Sequence, residues 1–154
     1  MGGQSLRTMA DGRTSEARCG VYEEWVKVSR DHLRAAELLL NEGLYHLVCF
    51  HAQRAAAQAM QATLDKNGVR VPHSAALLEL LSACEACDPE AASLRGSCAL
   101  LDLYCATDPS TAVPGMLPWG PPNYEQAEAT LEAGRTVAQT LGRLNSRFAL
   151  AAVA

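Results

Sequence analysis

Residues 44–67 read LYHLVCFHAQRAAAQAMQATLDKN, six alanines held between Gly43 and Gly68. Alanine has the highest helix propensity and loses no side-chain entropy on folding, so the stretch predicts a helix over 44–67. Ala52, Ala55, Ala56, Ala57, Ala59 and Ala62 also let neighbouring helices approach closely. Gly68 supplies the stop.

The pattern continues on both sides. Upstream, Trp25, Val28, His32, Ala36 and Leu39 recur at helical spacing and predict a first helix over Ser15–Asn41 that ends before Gly43. Downstream, Pro72, His73 and Ser74 announce a third helix over Ala75–Ala86, with Ser74 as its N-cap. Asp88 and Pro89 repeat that signal for a fourth helix reaching Ala106, on which Leu94, Cys98, Leu101 and Cys105 share one face. Residues 107–122 hold five of the seven prolines and predict a long connecting loop. Asn123 and Gln126 then form a capping-box pattern that opens a fifth helix, with Ala127, Leu131, Gly134, Ala138 and Leu141 as its seam. Short connections between the first four helices make those neighbours antiparallel. The expectation is an all-α, up-and-down helical bundle of four main helices plus a closing fifth, spanning 15–150 behind a flexible leader at 1–14.

Composition agrees. A chain of 154 residues suits one domain and can bury roughly 70% of its unfolded surface, so no disulfide or metal is required for a core. Aromatic residues make up only 5%, which disfavours a sheet. A net charge of −4 argues against generic nucleic-acid binding, which needs a basic excess to neutralise phosphates. Residues 1–20 contain no apolar run of the secretory type, and no stretch approaches the ~20 apolar residues that span a bilayer. The expected location is cytoplasmic, with the six cysteines reduced.

Four segments, in order, resemble a HEPN domain, the "higher eukaryotes and prokaryotes nucleotide-binding" family. They are Asp31–Gly43 (DHLRAAELLLNEG), Phe50–Met60 (FHAQRAAAQAM), His73 followed by Leu77-Leu78, and Leu103–Pro109 (LYCATDP). The resemblance covers about residues 22–145. It implies a homodimer and a frequent partner, a minimal nucleotidyltransferase, in toxin–antitoxin pairs. Ala57, Gln58 and Gln61 stand where the family carries Glu and Lys on its second helix, and Asp108 replaces an arginine in the turn. Those replacements remove cationic groups that would hold a nucleotide phosphate.

The family's ribonuclease branch carries Arg-x(4–6)-His, in which Arg holds phosphate charge while His exchanges a proton. Here one residue separates Arg30 from His32, two separate Arg70 from His73, and every other arginine-to-histidine gap is eleven or more. The motif is absent. Cys84-Glu85-Ala86-Cys87 is a lone CxxC without a second ligand pair, and His46 with Cys49 supplies only two ligands, so neither predicts a metal site. His32 reads as a core histidine on the Trp25 stripe. His51 lies well around the helix from His46 and reads as a surface or hydrogen-bonded residue.

His73, Tyr104 and Asp108 are candidate ligand-binding residues, because the start of the third helix and the end of the fourth fall at one end of such a bundle. The alternative is a hydrogen-bonded helix-end cluster without a ligand. His51 and Arg54 of the second helix are further candidates. Met116, Leu117 and Trp119, apolar residues among the loop prolines, are candidate partner contacts, and equally a lid folded onto the bundle. Arg135, Arg143 and Arg147 form a loose basic face that suits the dipole of the fifth helix. Together these point to a non-catalytic binding or scaffold domain without a cofactor. The alternatives are a ribonuclease toxin with a rearranged site and a nucleotide-sensing module.

Overall fold

The computed structural model describes the backbone of residues 15–72, 76–104 and 113–151, with side chains described between 20 and 147. Five α-helices follow in order: α1 (Ser15–Asn41), α2 (Tyr45–Lys66), α3 (Leu77–Cys87), α4 (Arg95–Asp102) and α5 (Tyr124–Ala151). A 3₁₀ helix, Pro89–Leu94, leads into α4. The expected all-α bundle is present. The expected leader, residues 1–14, lies outside the described residues.

Two glycines turn the chain around α2. Gly43 adopts φ +74° and Gly68 φ +68°, a left-handed conformation that costs glycine nothing. At the first, Leu44 N–H donates to the Leu39 carbonyl and Gly43 N–H to that of Leu40; at the second, Val69 and Gly68 do the same to Leu64 and Asp65. These are paired Schellman caps, and they satisfy carbonyls that the ends of α1 and α2 would otherwise leave open.

The alanine-rich α2 is the central element, packing against α1, α3, α4 and α5. Ala52, Ala56 and Met60 meet Leu77, Leu80, Leu81, Leu94, Leu101, Val137 and Leu141 in the larger core. A smaller core gathers Ala36, Val48, Cys49, Tyr104, Leu117, Ala127 and Leu131. At Gly134 α5 crosses α2 so closely that an added Cβ would stand 3.0 Å from the Ala52 carbonyl oxygen.

The third and fourth helices differ from expectation. The third begins at Leu77, and Ser74 lies outside the described residues. Its N-terminal amides are capped across space, Leu77 N–H donating to Asp102 Oδ1 at 2.7 Å and Leu78 N–H to Oδ2 at 3.1 Å. The fourth element opens as a 3₁₀ turn capped by Asp88, whose side chain accepts from Glu90 N–H, and its α-helical part stops at Asp102, short of Ala106. Its face is as expected, with Leu94, Cys98 and Leu101 all buried. The capping box is also formed: Gln126 N–H donates to Asn123 Oδ1 and Asn123 N–H to Gln126 Oε1, both at 2.9 Å.

Candidate functional site

Helices α1 and α2 run antiparallel from the Gly43 turn, so each step back along α1 is matched by a step forward along α2. Ser29 Oγ donates to the Ala55 carbonyl at 2.8 Å and pins that register. One turn away the same register brings His32 Nδ1 within 2.9 Å of His51 Nδ1. One imidazole must donate while the other accepts, so the pair holds a single proton between the two nitrogens. Burial lowers the pKa of His32, and the His51 and Arg54 charges add to that while Asp31 opposes it; burial alone lowers His51. Both rings are therefore neutral at pH 7.

Arg54 follows His51 by one turn and, among the described residues, forms no salt bridge. Gln58 and Gln61 continue the same side of α2, within about 80° of arc of His51 at 3.6 residues per turn. Their side-chain oxygens are buried without a hydrogen-bond partner among the described residues. The seam thus places a proton-sharing imidazole pair and a guanidinium at one spot, a combination able to hold an anion and move a proton.

The other candidates separate. Tyr104 is buried in the smaller core, and burial raises its phenol pKa while a hydrogen bond with Thr130 opposes the rise. It therefore packs as a core residue. Its expected companions His73 and Asp108 lie outside the described residues. The loop candidates divide as well. Leu117 is 5% exposed and belongs to the smaller core, so it faces inward. Met116 is half-buried. Trp119 is 72% exposed and does not fold over the bundle as a lid. The loop is held at its base by reciprocal hydrogen bonds between Leu117 and Gly120, both 3.1 Å. Gly115, at φ +78°, sits so tightly against the His46 carbonyl that no side chain fits there.

The family model for the HEPN domain matches residues 22–144. The chain belongs to the HEPN domain family. Among solved structures it is similar to a HEPN domain protein from Thermotoga maritima, at 20% identity and TM-score 0.65, over 80% of this chain and 98% of that one. An archaeal HEPN homologue matches at 19% identity and TM-score 0.62, over 80% and 96%. A Thermus thermophilus protein matches at 24% identity and TM-score 0.59, over 79% and 96%. At these identities the likeness establishes the fold alone. No curated protein matches the chain.

In this HEPN domain the arginines of α5 are neutralised. Arg135 binds Glu37 at 2.7 Å, Arg147 binds Glu90 at 2.9 Å and Asp88 at 3.2 Å, and Arg143 lies 3.9 Å from Glu90. Their partners lie on α1 and around the 3₁₀ turn, so the basic face ties elements together and is not an open phosphate site. The first cysteine of the CxxC is likewise a core residue. Cys84 is buried beside the Met60 carbonyl, and desolvation pushes its thiol up to about 12; Cys98 reaches about 12 and Cys49 about 11 for the same first reason. Such thiols stay protonated and unreactive at neutral pH. None of the described helices is long and apolar enough to cross a membrane.

His32 is the member of the seam that the sequence hides. Its place on an apolar stripe predicts core packing, and only the antiparallel register about Gly43 reveals that it meets His51.

Proposed function

We propose that this HEPN domain acts by binding: a non-catalytic bundle that dimerises and serves as the scaffold partner of a minimal nucleotidyltransferase-type protein in a toxin–antitoxin-like pair. The observation that carries this reading is Trp119. A tryptophan 72% exposed on a loop anchored by buried Leu117 is presented to solvent by a firm base. Such rigid, exposed aromatics are the residue type that dominates binding energy in protein interfaces. The absence of Arg-x(4–6)-His from the sequence supports the same reading. The test is co-purification with a nucleotidyltransferase-type protein encoded beside it, together with light scattering. Retention of the partner as a complex, lost in Trp119→Ala, supports the proposal; a monomer that retains nothing overturns it.

A second reading, a ribonuclease with a rearranged site, is favoured by the meeting of His32, His51 and Arg54. It requires RNA cleavage that His51→Ala abolishes.

A further inference from the structure

A cleft of about 320 Å³ lies between α1, α2 and α5, and neither His32 nor His51 lines it. Small residues, Ala59 on α2 with Ala138 and Gly142 on α5, leave the space that the larger side chains of α1 line from the other side. Ala59 forms part of the floor, Gly142 stands on the α5 side, and Val26 and Leu141 contribute apolar walls with Tyr22 at one end. A close-packed interior would fill such a space with leucine or phenylalanine. Here an added Cβ at Gly142 would meet nothing within 4 Å, so the space is open rather than a packing seam.

The rim carries Arg30. Arg34, Arg95, Arg135, Arg143 and Arg147 each face a carboxylate within 4 Å, whereas Arg30 has no salt bridge among the described residues. A mostly apolar cleft with one uncommitted guanidinium at its mouth is complementary to a molecule with an apolar body and one anionic head. Its size falls at the small end of sites for small molecules, roughly 300–1,000 Å³.

We infer that this cleft is a binding site for a small amphipathic anion, its apolar body between Val26 and Leu141 and its acidic group on Arg30. The cleft shares no residue with the loop that carries the scaffold reading, so the two stand or fall separately.

Two fluorescent probes of similar shape test it: anionic 8-anilinonaphthalene-1-sulfonate and neutral N-phenyl-1-naphthylamine, each titrated into the intact chain. The expected result is one saturable site for both probes, with octanoate displacing the sulfonate. Gly142→Leu, which places its side chain in the open space, should weaken both probes at least tenfold. Arg30→Gln, a change at an exposed position, should weaken the sulfonate at least fivefold and leave the neutral probe within twofold, with melting temperatures unchanged. Non-saturable binding, wild-type affinity in Gly142→Leu, or equal loss of both probes in Arg30→Gln overturns the inference. If Gly142→Leu fails to fold, the contrast between probes in Arg30→Gln decides the matter alone.

Discussion

His32 and His51 face each other through Nδ1 atoms 2.9 Å apart, one on each side of the α1/α2 seam. The contact tolerates one proton and not two, because a doubly charged pair would set two N–H groups against each other. Both pKa values are lowered in the folded protein from 6.5, first by burial. A lowered histidine pKa means the unfolded chain binds protons that the native state refuses. The stability from this pair is therefore complete above about pH 6.5 and is lost as pH falls through the lowered folded values. Thermal melts between pH 8 and 5 should show the midpoint falling below pH 6.5, and His32→Asn should flatten that fall. A pH response identical in wild type and variant would assign it to other groups.

Two glycines of one helix should respond to alanine with opposite signs. At Gly142 the new methyl meets open space, so relief of the glycine penalty should stabilise the fold by about 0.5–1 kcal/mol. At Gly134 the methyl would lie 3.0 Å from the Ala52 carbonyl oxygen and 3.3 Å from its Cα. Backbone cannot give way as a flexible side chain can, so α2 and α5 must separate. Overpacking of this kind costs about 1–3 kcal/mol and should outweigh the propensity gain. Urea unfolding of the two variants checks the pair.

The carboxylate of Asp102 caps α3 from a distant point in the chain, accepting from Leu77 and Leu78. Asp102→Ala should cost about 1 kcal/mol, the usual worth of such a cap. For a domain this size that lowers the melting temperature by about 2–4 °C. Asp102→Asn, which keeps an acceptor oxygen, should recover most of the loss.

The sequence shows most of the architecture because its signals are local. Gly43 and Gly68 end helices through bonds to carbonyls a few residues back, and Asn123 caps through Gln126 three residues on. The misses are contacts whose partner is far along the chain. Ser74 reads as a cap because caps are usually local, yet the acceptor for α3 is Asp102, 25 residues away from Leu77. His32 reads as core for the same reason. Leu117 and Trp119 are equally apolar in the sequence, and only the folded turn, closed by the hydrogen bonds between Leu117 and Gly120, shows the first buried and the second exposed.

That division in the loop is itself testable. Leu117→Ala removes a buried side chain from the smaller core and should destabilise the fold by about 2–5 kcal/mol. Trp119→Ala should change stability by no more than about 0.5 kcal/mol, since little of the indole is buried. Its effect belongs in partner retention. Equal destabilisation by both would mean that Trp119 is covered in solution.

Whether this bundle binds or cuts is decided most directly by incubating purified protein with single-stranded RNA in the presence of a chelator. A non-catalytic domain leaves the RNA intact over hours, with no difference between the native chain and His51→Ala. Degradation by the native chain that disappears in His51→Ala would contradict that outcome and make the histidine pair a catalytic centre.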